Sequence, residues 1–211
     1  IGALVTMPHK IATCGLVLRL SPTAAIAGAC NAIRSEADCT LSGDMFDGDG
    51  FVLGIRRKGF QPEGARALVV GCGGVGSAIA ASLAAAGVRA LTLYDSHADA
   101  AHALAARLLQ HYPLLDISLM QRDPQGHDLV VNATPLGMKA LDPQRLTPGT
   151  WVGEVVMTQA FTPLLQAAQA RDCPVQRGTD MLFEMIPAYL RFFNLPVATP
   201  EQLRELAEIR Y

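Results

Sequence analysis

The sequence has little charge and no strong excess of either sign. Charged residues make up 17% of its 211 residues, the formal net charge is −2, and the longest basic run is Arg56-Arg57-Lys58. Neutralising nucleic-acid phosphates requires a basic excess or patch, so these features argue against a nucleic-acid-binding protein. Hydrophobic residues make up 50% of the chain, which suits a sizeable core and disfavours intrinsic disorder.

The chain also lacks cysteines at the spacing of a metal or redox motif. Its five cysteines are scattered, no C-x-x-C occurs, and no Cys/His spacing fits a zinc site. A calcium loop around Asp47 is excluded because Phe46 and Gly48 occupy positions that need oxygen ligands. We therefore predict no metal site and reduced thiols, which indicate a cytoplasmic protein.

No secretory leader is recognisable at the start of the sequence. The chain opens Ile-Gly-Ala, without the charged and apolar regions of a signal peptide, and we expect further residues upstream. Residues 67–88 are uncharged and long enough to cross a bilayer, but five glycines interrupt them at places that suit turns. A buried strand, a tight turn and a buried helix explain this segment better than a membrane span.

From residue 66 onward, short apolar runs alternate with helical stretches. Strands are predicted at residues 67–70, 90–94, 117–120, 129–132 and 151–156, and helices at 75–86, 99–109 and 162–171. Continuous apolar strands that alternate with helices are typical of a parallel sheet covered on both faces. We therefore predict an α/β protein with a Rossmann-type, doubly wound parallel sheet in residues 50–177.

The flanking segments predict a second, smaller α/β domain for the substrate. In residues 1–49 we expect helices that begin near Pro8 and at Ser21-Pro22. We also expect a hairpin of strands at residues 30–34 and 40–42. A helix over residues 48–58 should end at Gly59, and residues 178–211 should form helices that pack back on the smaller domain.

A glycine-rich turn, Gly71-Cys72-Gly73-Gly74-Val75-Gly76, joins the first strand of the sheet to a helix. A G-x-G-x-x-G in a βαβ unit is typical of dinucleotide binding. Gly71 permits the tight turn, Gly73 lets a pyrophosphate approach, and Gly76 allows the helix to pack closely on the strand. The helix N-terminus offers free N–H groups to the phosphates. We predict that these residues, with Gly74 and Val75, bind a dinucleotide; the alternative is a glycine turn without a ligand.

The second strand of the sheet ends at Asp95, nineteen residues after Gly76. A carboxylate at this position can accept hydrogen bonds from the adenine ribose hydroxyls and would repel a 2′-phosphate. No Arg or Lys follows before Arg107. NAD is therefore moderately preferred over NADP, since a protonated His97 could tolerate a phosphate. The alternative is that Asp95 only caps the next helix.

Six motifs follow one another along the chain. They are residues 5–10 (VTMPHK), 28–31 (GACN), 43–48 (GDMFDG), 132–138 (NATPLGM), 162–165 (TPLL) and 178–182 (GTDML). In this order and spacing the sequence resembles the shikimate/quinate dehydrogenase family over nearly its whole length. The resemblance implies two domains with a cleft between them. It also implies nicotinamide-dependent oxidation of a ring secondary alcohol, or the reverse ketone reduction.

The resemblance also implies roles for individual residues. The family's catalytic Lys corresponds to Lys10 and its catalytic Asp to Asp47, with Asp44 and Asp49 as rival carboxylates in the same loop. Substrate contacts correspond to Thr6 and Asn31. Residues implied to lie beside the nicotinamide are Thr134, Pro135, Met138, Gly178 and Met181.

Four departures from the family pattern concern the substrate side. Leu4 replaces an Asn, Met45-Phe46 replaces Asn-Thr, Met157 replaces a Tyr, and Met185 replaces a Gln. The family's Ser-rich motif for the substrate carboxylate is also absent. Each replacement removes a hydrogen-bonding group, so we predict that Phe46, Met157 and Met185 line a more apolar pocket and that shikimate is turned over poorly or not at all. The alternative is that some of these side chains pack in the core instead.

Two functions remain open at this point. The presence of both Lys10 and Asp47 favours an NAD(P)-dependent dehydrogenase acting on a cyclic hydroxy acid, since a sensor needs neither. The alternative is a catalytically weak NAD-binding sensor or regulatory module derived from this family. The expected partner is a small-molecule substrate rather than nucleic acid or membrane, and a homodimer is left open.

Overall fold

A computed structural model describes residues 2–208, which contain one four-stranded and one six-stranded sheet. The first part of the chain forms β1 (Gly2–Leu4), α1 (Lys10–Thr13), β2 (Arg19–Leu20), α2 (Pro22–Ala27), β3 (Ala32–Ser35), β4 (Leu41–Asp44) and α3 (Asp47–Arg57). The four-stranded sheet has the order β1-β3-β4-β2, in which β3 is antiparallel to both neighbours and β2 is parallel to β4.

The rest of the described chain forms the larger sheet and its helices. These elements are β5 (Arg66–Val70), α4 (Gly74–Ala85), β6 (Ala90–Tyr94), α5 (Ala98–His111), β7 (Asp116–Leu119), β8 (Leu129–Asn132), β9 (Trp151–Glu154), α6 (Pro163–Gln169), β10 (Val175–Gln176), α7 (Gly178–Phe192) and α8 (Pro200–Leu206). The sheet has the order β10-β9-β8-β5-β6-β7, and every pair of neighbouring strands is parallel. The predicted Rossmann-type parallel sheet is therefore confirmed.

Local sequence signals explain where the helices next to the site begin and end. The Ser21 side chain accepts from the backbone N–H of Ala24 at the start of α2, and Gly28 ends that helix with a left-handed φ of 64°. Gly59, with φ of 102°, follows α3 in the same way. Glycine takes positive φ without strain, and the predicted end of α3 at Gly59 is confirmed.

Helix α3 packs against both α4 and α7. A Cβ on Gly48 would lie 2.1 Å from the carbonyl oxygen of Ala78, and one on Gly50 would lie 2.8 Å from that of Met181. Glycine therefore allows the helix backbones to approach closely at both contacts. The proposed division between residues 49 and 50 falls inside α3, and the residue ranges of the two domains stay a prediction.

The predicted strand, turn and helix at residues 67–88 are present as β5, the glycine turn and α4. Within residues 2–208, no helix is both long and apolar enough to cross a membrane. Helices α7 and α8 lie within residues 178–211, where helices were predicted. The two-residue strand β10 was not predicted, because so short a strand has too few residues to show an alternating pattern.

Candidate active site

A cleft of about 530 Å³ lies at the carboxyl ends of β5, β6 and β8. This edge of a parallel sheet is where open α/β folds bind ligands. The segment before and within α1 forms the facing wall with Met7, Pro8, Lys10 and Ile11. The sheet side contributes Val70, Gly71, Gly73, Gly74, Val75, Tyr94, Asp95, Ser96, Arg122, Ala133, Thr134, Pro135, Leu136, Lys139 and Ala140.

The three glycines of the G-x-G-x-x-G pattern, Gly71, Gly73 and Gly76, have different surroundings. Gly71 has φ of +101°, and a Cβ there would lie 2.8 Å from Cγ2 of Thr134. A Cβ on Gly76 would lie only 1.8 Å from the carbonyl oxygen of Gly71, so only glycine fits. A Cβ on Gly73, which precedes α4, would meet nothing within 4 Å. The open space at the N-terminus of a 12-residue helix fits a dinucleotide phosphate.

Asp95 lies in the cleft directly after β6. Its Oδ2 accepts from the backbone N–H of Cys72 at 2.7 Å, and its Oδ1 accepts from that of His97 at 2.9 Å. Although burial opposes ionisation, these N–H groups hold the pKa of Asp95 below its ordinary value. His97 rather than Asp95 occupies the N-cap of α5. The carboxylate is thus held at the glycine turn, where a ribose would meet it.

Cys72, in the same turn, is a packing residue. Its side chain lies in the main hydrophobic core. Burial, with a smaller contribution from Asp95, raises the pKa of the Cys72 thiol to about 12. The thiol is therefore protonated at neutral pH and is not an activated nucleophile.

Lys10 and Asp47 form an ion pair at the edge of the cleft. Nζ of Lys10 lies 2.5 Å from Oδ2 of Asp47, and their side chains are 13% and 3% exposed. Nδ2 of Asn31 donates to Oδ1 of Asp47 at 3.0 Å, while the Asn31 Oδ1 accepts from the backbone N–H of Phe46 at 3.1 Å. Because Lys10 also lines the cleft, its amine can exchange a proton with a ligand bound there.

The two rival carboxylates are engaged elsewhere. Asp44 accepts from the Ser21 hydroxyl and from the backbone N–H of Met45. Asp49 is exposed and accepts from the Ser82 hydroxyl at 2.7 Å. Of the three carboxylates, the structure brings Asp47 to Lys10.

The segment after β8 lies opposite the glycine turn. Thr134 and Pro135 line the cleft. The Thr134 N–H and hydroxyl both donate to Oδ1 of Asn132, at 3.0 and 2.7 Å. Met138 lies instead in a neighbouring groove with Asp142 and Arg145.

Phe46 and Met185 are buried behind Asn31, away from the cleft lining. The Phe46 ring makes edge contacts with Tyr189 and Phe192, at centroid distances of 5.2 and 5.6 Å. Sδ of Met185 lies 3.7 Å from Nδ2 of Asn31. Both side chains belong to one hydrophobic cluster, which supports the core-packing alternative for these two positions.

The remaining proposed site residues are spread around the cleft rather than in its lining. Met157 is 45% exposed, and a Cβ on Gly178 would lie 2.7 Å from its Cγ. Met181 is buried in the main core, and Thr6 is exposed, with its carbonyl accepting from His9. Within residues 2–208, no three His, Cys, Asp or Glu side chains are grouped as metal ligands.

The glycine turn lies in a stretch that resembles a known family. Residues 62–98 match the ThiF family. That stretch contains β5, the turn, α4, β6 and Asp95 but covers less than half of the chain. Its match therefore concerns this βαβ unit alone.

Two curated relatives extend over most of the chain. A shikimate dehydrogenase (NADP(+)) of Moorella thermoacetica is 38% identical over 86% of this chain and 65% of its own length. The enzyme of the same name from Paracoccus denitrificans is 34% identical over 97% of this chain and 75% of its own length. The chain belongs to the shikimate/quinate dehydrogenase family. The family consists of oxidoreductases that act on CH–OH groups with a nicotinamide cofactor.

A solved structure from the shikimate/quinate dehydrogenase family has the same fold. The quinate dehydrogenase from Corynebacterium glutamicum in complex with NAD is 32% identical, with a TM-score of 0.81. The match covers 97% of this chain and 76% of that one. The chain thus spans about two thirds to three quarters of the length of these relatives.

Three residues of this family member were missed by the sequence analysis. Arg122 lines the cleft, with its guanidinium carbon 5.5 Å from the Tyr94 ring centroid, and Lys139 lines it nearby. Arg122 follows β7, so the rule that ligands meet strand carboxyl ends could have found it. Glu154 is buried at the end of β9, and a lone Glu within an apolar strand was a readable signal.

Proposed function

We propose that this chain transfers hydride between a nicotinamide dinucleotide and a secondary alcohol of a cyclic hydroxy acid, in either direction. The observation that carries the proposal is the position of Lys10. Its amine is paired with Asp47 and lies in the same cleft as the glycine turn. The Lys10 amine and the glycine turn that would bind a dinucleotide therefore border the same cleft.

The residues have distinct tasks in this reaction. A bound nicotinamide would accept the carbinol hydrogen as hydride when the alcohol is oxidised to a ketone. The Lys10–Asp47 pair would take up the hydroxyl proton. Asp47 orients the amine and balances its charge, and Asn31 holds the second carboxylate oxygen.

Reduced-nicotinamide absorbance tests the proposed function. Shikimate and quinate are each incubated with NAD and with NADP, beside the variant Lys10→Ala. We expect the wild type to oxidise a cyclic hydroxy acid. The rate should fall about 10²- to 10⁴-fold in Lys10→Ala, the usual contribution of a positioned acid–base group. Lys58→Ala is a matched control, because Lys58 pairs equally closely with Asp180 outside the cleft. Equal rates in Lys10→Ala and the wild type would refute the assigned role.

We propose NAD as the preferred cofactor because the Asp95 carboxylate would face the adenine ribose. The two shikimate dehydrogenases are named for NADP(+), whereas the Corynebacterium relative was solved with NAD. Arg122 at the same end of the cleft supports tolerance of NADP, since its charge offsets a 2′-phosphate.

The ratio of kcat/KM for NAD to that for NADP tests this preference. We expect a ratio above one in the wild type, lower by about 10-fold in Asp95→Ala, because one repulsive contact of about 1.4 kcal/mol is lost. Arg122→Gln should raise the ratio by weakening NADP alone. A wild-type ratio well below one would show that NADP is preferred.

A sensor derived from the family is the second candidate. The replacement of polar family residues by Leu4 and Met157, both exposed rather than packed in the core, favours it. Dinucleotide binding without turnover of shikimate, quinate or related alcohols would support the sensor.

We also propose a cytoplasmic location, supported by five free cysteines, and a homodimer, which light scattering would test.

A further inference from the structure

Glu154 is a buried carboxylate held by neutral donors. Glu154 is only 1% exposed and is the last residue of β9. Oε1 accepts from Nδ2 of Asn132 at 2.6 Å, and Oε2 accepts from the hydroxyl of Thr162. Burying a carboxylate is costly, so its place in the core calls for a role beyond packing.

Hydrogen bonds connect Glu154 to the wall of the cleft. Asn132 is its neighbour across the parallel pair β8–β9. Oδ1 of Asn132 accepts from both the N–H and the hydroxyl of Thr134. The Thr134 hydroxyl in turn accepts from the N–H of Leu136 at 3.2 Å. Thr134, Pro135 and Leu136 all line the cleft.

The carboxylate determines which way the Asn132 amide points. Both Glu154 oxygens accept hydrogen bonds, so the Asn132 amide turns its NH₂ toward Glu154 and its oxygen toward Thr134. The Thr162 hydroxyl fixes Glu154, because it donates to Oε2 while it accepts from Leu165 at the start of α6. One buried acceptor thus orients the whole segment.

We propose that Glu154 is a positioning residue for the cleft-wall segment, residues 133–136, and that it acts through the orientation of the Asn132 amide. The inference rests on the proposed function and on the family resemblance, which implies that Thr134 and Pro135 lie beside the nicotinamide half of the dinucleotide. The adenosine diphosphate half meets the glycine turn and Asp95, which Glu154 does not touch.

The variant Glu154→Gln tests the inference with little change in volume. A Gln offers one acceptor and one donor where two donors must be satisfied, so either the Asn132 NH₂ or the Thr162 hydroxyl proton loses its acceptor. By calorimetry we expect the tighter of NADH and NADPH to bind about 5- to 10-fold more weakly, as for one hydrogen bond lost. ADP should bind within about twofold of wild type, since one lost bond at the nicotinamide end leaves its own contacts intact. Amide hydrogen exchange at Thr134 and Leu136 should become faster.

Glu184→Gln is the matched control. Glu184 is also a buried glutamate, but Arg57 and Arg204 hold it away from the cleft. This variant should lose thermal stability while its ratio of NADH to ADP affinity stays unchanged. Three results would each overturn the inference. They are the same selective loss in Glu184→Gln, an equal loss of NADH and ADP affinity in Glu154→Gln, and unchanged affinity and amide exchange in Glu154→Gln.

Two further measurements distinguish a failure of the inference from a variant that does not fold and from a failure of the proposed function. If Glu154→Gln does not fold, Thr134→Val removes the other end of the same connection and should weaken NADH selectively; wild-type affinity there would overturn the inference. If the wild type binds neither nucleotide, the proposed function fails. Amide exchange at Thr134 and Leu136 in Glu154→Gln then still decides whether Glu154 positions the segment.

Discussion

Asp47 connects three segments of the chain at a single carboxylate. Lys10 reaches it from α1, Asn31 from the segment before β3, and Asp47 itself is the first residue of α3. The N-terminus of α3 favours a negative charge there. The backbone N–H of Cys30 also donates to the carbonyl of Lys10, which ties α1 to the Asn31 segment. The pair is therefore held by its surroundings before any ligand binds.

Asp47→Asn should separate catalysis from cofactor binding. The substitution keeps the shape but removes the charge that orients Lys10. We expect kcat to fall about 10²- to 10⁴-fold, since general acid–base work is lost. Dinucleotide affinity should be unchanged because Asp47 is absent from the cleft lining. Asp49→Asn, two residues on in the same helix, is the control and should keep wild-type kcat; an equal loss there would contradict the assignment.

At the scale of elements, the glycine turn meets two separate requirements, one from the packing of the chain and one from ligand binding. Gly71 and Gly76 satisfy the chain's own packing, because a Cβ at either position would strike neighbouring atoms. Gly73 has an ordinary extended backbone and open space beside it, so the chain itself does not require glycine there. Only a ligand that approaches the backbone closely would require it.

A pair of alanine substitutions tests this division. Gly76→Ala should lower the free energy of unfolding by about 1–3 kcal/mol, the usual cost of overpacking. Gly73→Ala should leave stability within about 1 kcal/mol, since its backbone conformation suits alanine. It should nevertheless weaken dinucleotide binding. Chemical denaturation and nucleotide titration give both quantities, and full nucleotide affinity in Gly73→Ala would argue against a phosphate at this position.

At the scale of the whole molecule, buried thiols link stability to pH. Burial raises the pKa of Cys30 and of Cys72 to about 12, with the Cys14 and Asp95 charges as smaller causes. In the unfolded chain the same thiols ionise near their ordinary value of 9.0. Above that pH the folded state therefore binds more protons than the unfolded state, and stability falls as pH rises.

The expected result is a loss of unfolding free energy between about pH 9 and pH 12, measured by denaturant titration at several pH values. Cys72→Ala should make this loss shallower, because one raised pKa is removed. Cys39→Ser should leave the slope unchanged, since Cys39 is exposed. A wild-type slope unaffected by Cys72→Ala would show that this thiol does not contribute.

Short-range signals accounted for most of the fold and half of the cleft. The strands β5, β6 and β8 were predictable because each is a continuous apolar run, and the glycine turn because its spacing is local. The rest depended on contacts between distant segments. Phe46 packs in one hydrophobic cluster with Met185, Tyr189 and Phe192 of α7, a relation between distant segments that no spacing along the chain reveals.

The sequence by itself determined the parallel α/β architecture, the glycine turn and the family, because periodicity and motifs are local properties. The family motif also singled out Asp47 among three nearby carboxylates, but only the tertiary structure placed that carboxylate 2.5 Å from the Lys10 amine. It likewise decided that Arg122 lies in the same cleft as Asp95, and that Glu154 reaches the cleft wall through Asn132. These relations arise where strand ends and helix starts converge, and convergence depends on how the sheets and helices pack.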